Sequence, residues 1–496
     1  MDYQVGIVGA GFSGLVAALR LKKSGKNSFV IFERSSDVGG TWRENTYPGC
    51  ACDVASPLYC FADEPKAKWT RLYSSQPEIL NYIKEVVQNT GLYKHIQFNT
   101  EIIDAIFHKE TGTWTVTDEK GRSVSVGMLI LGTGPLNRSN IPNFAGLSTF
   151  KGKWIHSSQW DNSYDLKGKK VAVIGTGASA IQIIPSIAPI VSQLFVFQRT
   201  PAWVTPRLDK ALTAEQHQLW NKYPVLMKWE REKLYWLNEF LGLGFIGKEW
   251  VNRTMHKYAV RRLEKQVKNP DIRRKLTPKY KIGCKRILKS DDYYPVFNKE
   301  HVALVTDPIE KFVPEGIVAC GSTYKLDAVI LATGFIAADI DLKIKIIGIN
   351  GENLVDKWKI TGAEAYLGTT ISGFPNLAFI LGPNTGLGHN SVILMMESQM
   401  NYVMQYIQYL EKAGSGSYLD VYADIQKKYN EELQRKFKGT VWSSGCKSWY
   451  INAAGKNTTL FPRLTGYFRK RTKRFEISDY HLAKKSTKTH KLVEVP

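Results

Sequence analysis

Two glycine-rich turns of the same construction constrain this sequence more than any other feature. The first lies in "QVGIVGAGFSGLVAALRLKKSGKNSFVIFER". An apolar strand, Val5 to Val8, runs into Gly9-Ala10-Gly11-Phe12-Ser13-Gly14, an amphipathic helix follows to about Lys22, and a second apolar strand, Phe29 to Phe32, ends at Glu33. Gly9 permits the tight turn, Gly11 lets the backbone approach a pyrophosphate, and Gly14 lets the helix pack close to the strand. Ser13 sits at the helix N-terminus, which attracts the anion. Glu33, 24 residues after Gly9, can accept hydrogen bonds from ribose hydroxyls. A bare GxGxxG is a weak signal; strand, turn, helix, strand and acid together specify a dinucleotide-binding unit.

The second turn lies in "KKVAVIGTGASAIQIIPSIAPIVSQLFVFQRTP". Strand Val171 to Ile174 leads into Gly175-Thr176-Gly177-Ala178-Ser179-Ala180, with alanine in the tolerated third position. After a helix, the strand Leu194 to Phe197 ends near Arg199, again 24 residues after the first glycine of its turn. The unit repeats, but the acid has become a base. A carboxylate would repel a 2′-phosphate, whereas a guanidinium grips it in a charge-assisted fork. The first site therefore suits a dinucleotide with a free ribose, and the second suits NADPH. Two such sites in one chain imply that one ligand reduces the other, which makes the first ligand FAD and NADPH the hydride donor. Flavoprotein disulfide reductases share this layout but need a cysteine pair early in the FAD unit. Cys50 and Cys52 stand one residue apart, a poor spacing for an unstrained bond.

The remaining composition narrows the class. At 496 residues, two or three domains are expected. The opening "MDYQVGIVGAGFSG" leaves no room for a leader peptide, and no apolar run approaches the ~20 residues that span a bilayer, so the expectation is a cytoplasmic protein. Six cysteines suggest free thiols. No metal site is expected, because the loose cluster Cys50, Cys52 and Cys60 lacks a Cys-x-x-Cys knuckle and a nearby histidine. The net charge is +22, with the densest basic run in "YFRKRTKRF", residues 467 to 475. That run reads as solvated basic surface; an acidic membrane or nucleic acid is the competing partner, although no nucleic-acid motif accompanies it.

Four further stretches carry a family resemblance. "GGTWRENTYPGCACD", residues 39 to 53, resembles the signature of type I Baeyer–Villiger monooxygenases, and "FKGKWIHSSQWD", residues 150 to 161, resembles their fingerprint F-x-G-x-x-x-H-x-x-x-W-[P/D]. "DAVILATGF" resembles the element at the return to the FAD unit. "IGCKRILKSDDYYPVFN" resembles the segment with the family's active-site Lys-Arg pair. Related flavin-containing monooxygenases share the F-x-G-x-x-x-H core without the closing Trp-Asp. The resemblance implies that Glu33, Gly40, Thr41, Trp42, Asp53 and Tyr59 contact FAD, and that Arg199, Thr200 and Lys285 select the 2′-phosphate. It gives Arg286 the role of stabilising the flavin peroxide, with Asp53 as its acidic partner. It makes Trp449, in "CKSWYINAAGKN", the tryptophan of a loop that closes over the nicotinamide cofactor.

The implied fold is α/β, with two Rossmann-like units. The FAD unit is expected over residues 1–145 and 335–475, the NADPH unit over 150–330 with a helical insertion at about 207–290, and a polar tail over 476–496. Most aromatics of the insertion are expected to pack between helices, with a substrate channel as the alternative. Pro48 and Gly49 need only a turn. His156, flanked by aromatics between the two units and without a metal-ligating neighbour, reads as a joint and not a catalyst. The implied reaction is NADPH- and O2-dependent conversion of a ketone to an ester or lactone through a C4a-peroxyflavin. Oxidation of amine or sulfide heteroatoms is the enzymatic alternative. A flavoprotein that binds nucleic acid or membrane through its basic C-terminal segment is the alternative of another class.

Overall fold

The computed structural model describes residues 1–136, 138–336, 342–485 and 492–495, the last group and Lys485 by backbone alone. Two parallel-rich sheets organise the chain. The first has eight strands and is built around Tyr3–Val8, which lies between Phe29–Phe32 and Ser123–Leu131 in parallel register. Ile102–His108 and Thr113–Asp118 extend it as an antiparallel meander. Lys345–Ile347 and Leu377–Phe379, from far later in the chain, add to the same sheet in parallel. The second sheet is all parallel, in the order Val302–Val305, Gln193–Phe197, Lys170–Ile174, Ala328–Leu331, Lys153–His156. Phe29–Phe32 and Ala328–Leu331 are buried at every position, as parallel strands covered on both faces require, which is why they read as unbroken apolar runs.

Both glycine turns sit at the carboxyl end of a central strand, followed by helices Phe12–Lys23 and Ala180–Ile187. The 22-residue helix Val392–Ala413 packs on the first of these, and its N-cap Ser391 accepts a hydrogen bond from the Ile393 N–H. Helices Ala214–Lys222, Pro224–Gly242, Glu249–Gln266 and Pro270–Leu276 fill the segment between the strands Gln193–Phe197 and Val302–Val305. Among the described residues no helix is long and apolar enough to cross a membrane.

The two sheets are joined by connections that run side by side. Ser139 bridges Phe335, the Asn140 N–H donates to the Gly334 carbonyl at 2.9 Å, and the Ile336 N–H donates to the Arg138 carbonyl at 3.0 Å. His156 lies at this crossing, 1% exposed. Its Nδ1 meets the Ser158 hydroxyl at 2.8 Å, that hydroxyl meets Ser139 at 2.6 Å, and the ring stands edge-on to Phe335 at 6.1 Å. The imidazole thus ties the fingerprint segment to both connections.

Three expectations need correction. The polar tail is not a tail throughout: Tyr480–Lys485 pairs antiparallel with Tyr418–Val421, and Tyr480 is buried against Phe475. In the basic run before it Phe468 and Phe475 are core residues and Arg471 pairs with Asp479, while Arg469, Lys470, Lys473 and Arg474 are exposed, as expected of a solvated basic surface. Not every cysteine is free: Cys284 and Cys446 form a disulfide across 162 residues, while Cys50, Cys52, Cys60 and Cys320 remain thiols. Third, much of the apolar surface on helix Pro224–Gly242 faces outward and not into a helix pair, with Trp229, Trp236, Leu237 and Phe240 exposed.

Candidate active site

The first turn has the shape its glycines imply. Gly9 adopts φ +99°. A Cβ on Gly14 would fall 1.8 Å from the Gly9 carbonyl oxygen, so only glycine lets the helix sit this close. Gly40, at φ +52°, faces Gly11, and a Cβ there would lie 3.1 Å from the Gly11 Cα. Gly11 and Gly40 therefore leave a groove floored by bare backbone at the N-terminus of helix Phe12–Lys23, which fits a pyrophosphate. Gly14→Ala is expected to cost about 3 kcal/mol or more, because the clash is with backbone. The check is flavin absorbance per polypeptide and melting temperature of the purified variant.

Glu33 is buried, and its carboxylate accepts from the Ala10 N–H at 2.7 Å and from the Ser35 N–H at 3.0 Å. These bonds fix the acid at the end of its strand while leaving lone pairs for ribose hydroxyls. Trp42 is held by Tyr59, indole N–H to phenol oxygen at 3.1 Å with the rings edge to face. Tyr59 in turn packs on Phe12 in the turn. Thr41 opens the short helix Thr41–Glu44 beside Gly40, and Ser13 is buried in the first turn of its own helix.

The second turn repeats the design. Gly175 is at φ +117°, with the Ala332 carbonyl oxygen 2.4 Å from where a Cβ would stand, and Gly177 faces open space. The Thr176 hydroxyl donates to the Thr200 carbonyl at 2.9 Å. Ser179 precedes helix Ala180–Ile187 without capping it. Arg199 is exposed, and Lys285 shares its surroundings: burial first, and then the charge of Arg199, lowers the Lys285 pKa. The Lys285 ammonium lies over the Tyr280 ring at 5.0 Å. Neither cation pairs with a carboxylate among the described residues. Two unneutralised cations beside the turn form a site for an anion more highly charged than a carboxylate.

Asp53 and Arg286 meet across 233 residues in a side-on pair, Nε to Oδ2 at 3.0 Å and Nη2 to Oδ1 and Oδ2 at 2.8 and 2.7 Å. Side-chain exposures of 40% for Arg286 and 24% for Asp53 keep both within reach of a ligand. The whole Nε–Nη2 edge is taken, and Nη1 has no protein acceptor among the described residues. Burial raises the Asp53 pKa, but the charge and hydrogen bonds of Arg286, with help from Lys289, outweigh it and hold the carboxyl below its ordinary value. The Arg286 pKa rises, first through Asp53. A carboxyl depressed in this way adds stability that is complete above its unfolded value near ~3.9 and is lost as pH falls through the folded value.

The structure adds residues that sequence reading missed. Lys289, three positions after Arg286, acts on the acid, and Arg207 binds the backbone beside it. Arg207 donates to the Cys52 carbonyl at 3.2 Å and the Tyr73 carbonyl at 3.0 Å. A third cation in "KRILK" was a signal in plain view; Arg207 carried none. Gln182, on the helix of the second turn, donates to the Ala51 carbonyl at 2.9 Å and accepts from the Tyr47 hydroxyl at 3.1 Å. It ties the helix of the second turn to the segment that leads to Asp53. Gly49 needs more than a turn: a Cβ there would fall 2.2 Å from the Ser186 hydroxyl on that same helix. Cys50 stays an unreactive thiol, its pKa pushed up to about 11 by burial. Among the described residues no three His, Cys, Asp or Glu side chains converge as a metal site would need.

Trp449 is 42% exposed and packs on Tyr450 at 4.4 Å, while Tyr450 is buried beside Arg286, its pKa raised to about 12, chiefly by burial. The Cys284–Cys446 bond anchors this loop directly before the Lys285–Arg286 pair. Closing so long a loop stabilises by roughly 2–4 kcal/mol. A dithiol reductant is therefore expected to lower the melting temperature of the native protein, and Cys446→Ser to lower it without reductant and abolish the reductant's effect. Thermal scans in both states provide the check.

A site with two nucleotide turns and one buried-edge Arg–Asp pair defines a two-nucleotide flavoprotein oxidoreductase. The sequence matches the flavin-binding monooxygenase-like family model over residues 2–453, and the chain belongs to that family. Within it, the likeness runs to Baeyer–Villiger enzymes. A Baeyer-Villiger monooxygenase from Pseudomonas aeruginosa is 44% identical over 97% of this chain and 91% of its own length. One from Streptomyces coelicolor is 41% identical over 97% and 92%. The fold superposes on OTEMO in complex with FAD and NADP with a TM-score of 0.86 at 29% identity, covering 97% of this chain and 99% of that one. A steroid monooxygenase bound to NADP gives 0.86 at 30% identity, covering 95% and 97%.

Proposed function

We propose that this protein is an FAD-containing, NADPH- and O2-dependent Baeyer–Villiger monooxygenase that converts ketones to esters or lactones. The observation that carries the reading is the Asp53–Arg286 pair, which brings the family signature and the Lys-Arg segment together across 233 residues. The first sheet with its turn is the FAD unit, residues 1–145 and 335–475. The second is the NADPH unit, residues 150–330, with helices inserted between about 207 and 290. When bound in the first unit, FAD would supply the activation of O2 that no side chain provides.

The chain's own residues bind, orient and shield. The Gly9–Gly14 turn and Gly40, with Ser13 and Thr41, would hold the pyrophosphate of FAD and Glu33 its ribose, while Trp42 and Tyr59 fix the segment that leads to Asp53. The Gly175–Ser179 turn, with Thr176 and Gly177, would hold the pyrophosphate of NADPH, and Arg199, Thr200 and Lys285 its 2′-phosphate. Asp53 holds one edge of Arg286, so the guanidinium is fixed without reorganisation and its free Nη1 is kept for negative charge that develops on oxygen. Tyr450 is buried beside Arg286 with Trp449 packed on it, and closure of that loop over bound NADPH would exclude water. The protein works in the cytoplasm in this reading.

Incubation with NADPH and either a ketone or a sulfide, following product against NADPH consumed, tests the proposal. Ester or lactone formed in step with NADPH use supports it. Sulfoxide or N-oxide as the sole coupled product would transfer the chain to heteroatom oxidation.

A further inference from the structure

The geometry points to a membrane-docking face: the outer side of helices Pro224–Gly242 and Glu249–Gln266 binds the surface of an anionic phospholipid bilayer. The first of these helices is amphipathic with both faces in use. Its inner face is clamped to the body. Tyr235 and Leu234 pack with Val54, Leu58 and Leu394. Arg231 donates to the Pro57 and Cys60 carbonyls at 3.0 and 3.2 Å. Buried Glu239 accepts from His389, Asn390 and the backbone of Thr465 and Gly466. This face cannot roll over to hide the other.

The outer face is apolar and uncovered. Trp229 and Trp236 are each 64% exposed and Trp250 60%, with Leu237 and Phe240 between them. Phe240 meets Trp250 at 5.8 Å, which joins the two helices into one patch. Rings of this size bury 150–250 Å² each when covered, so three tryptophans alone amount to roughly the area that marks an interaction surface. Positive charge frames them. Lys222, Lys228, Lys248 and Lys257 are exposed and have no carboxylate partner among the described residues, and the Lys233 ammonium, paired with Glu230 at 3.5 Å, lies over the Trp229 ring at 5.7 Å. Residues 207–281 contain 18 Lys and Arg against 8 Asp and Glu.

Tryptophan at the water boundary with lysine around it is the composition of a helix that lies in a membrane interface. An anionic leaflet attracts each nearby cation, and the apolar rings supply the burial. A second copy of this chain fits less well, because a two-fold interface would set this basic surface against itself. The face is one helix, about 10–12 Å, from residues 54–60, which follow Asp53. On the reading of the protein as a ketone monooxygenase, an apolar ketone dissolved in the bilayer would meet the enzyme beside its site.

The experiment is sedimentation of the FAD-loaded enzyme with vesicles of phosphatidylcholine, alone or mixed with phosphatidylglycerol, at low and high ionic strength. Wild type is expected to pellet with the mixed vesicles at low salt and to be released by salt. Trp229→Ser combined with Trp236→Ser and Trp250→Ser is expected to reduce partitioning by roughly tenfold or more, and so is Lys222→Glu with Lys228→Glu. Turnover of a water-soluble ketone should be unchanged, so a failure of docking is distinguishable from a failure of catalysis. Wild type remaining in the supernatant with anionic vesicles overturns the proposal. So does a stable dimer in light scattering that the three serine substitutions dissociate, since the second copy would then be the occupant.

Discussion

Arg286→Ala is expected to leave NADPH able to reduce the bound flavin at close to the native rate while ester formation falls by roughly 10²–10³-fold or more. The two halves of the reaction ask for different things. Hydride transfer needs the two nucleotides held in place, and Arg286 has no part in either glycine turn. Oxygen transfer to a carbonyl needs negative charge kept on oxygen in a site with little water, where a fixed guanidinium is worth far more than in solution. Stopped-flow reduction under anaerobic conditions, followed by product analysis in air, separates the halves. NADPH should still be consumed, with hydrogen peroxide in place of ester. Arg286→Lys keeps the charge but not the fork, and Asp53 binds both Nε and Nη2, so lysine is expected to restore only a small part of the loss. Ester formation at the native rate in the alanine variant would remove Arg286 from the chemistry.

How much of this was legible in the sequence depended on whether the information was local. The glycine turns, their strands and Glu33 are set by neighbours within about thirty residues, and their spacing alone gave the architecture around them. The meeting of Asp53 and Arg286 is not local. It followed from family likeness and not from any pattern in the residues, since loops 233 positions apart carry no mutual periodicity. The same limit explains the Cys284–Cys446 pair, whose members lie 162 residues apart and whose connectivity no count of cysteines can give. Gln182 reads as an ordinary polar helix position, yet its amide spans two segments through Ala51 and Tyr47. The outward tryptophans misled for a different reason. Helical spacing reports that a stripe exists, but not which side of the helix meets the core, and here Met227, Tyr235 and Glu239 hold the inner side.

Arg199→Ala is expected to raise the KM for NADPH by about 10–100-fold and leave that for NADH nearly unchanged, since a hydrogen bond to a charged group contributes roughly 1.5–3 kcal/mol. The argument rests on two cations that lack acidic partners. Burial, and after it the charge of Arg199, lowers the Lys285 pKa, and a bound dianionic phosphate would relieve the repulsion between the two cations. Lys285→Ala should therefore also weaken NADPH binding, and the double variant should lose more than the two single losses together, because each single deletion also relieves the repulsion that the remaining cation felt. A pH dependence follows. Bound 2′-phosphate favours the protonated amine, so NADPH affinity should weaken as pH rises through the lowered Lys285 value, and NADH affinity should not follow. Below about pH 6 the phosphate itself takes up a proton and the preference should shrink again. Steady-state kinetics with both coenzymes across this range tests all of it, and an Arg199→Ala enzyme that still prefers NADPH as strongly as wild type would show that the 2′-phosphate is held elsewhere.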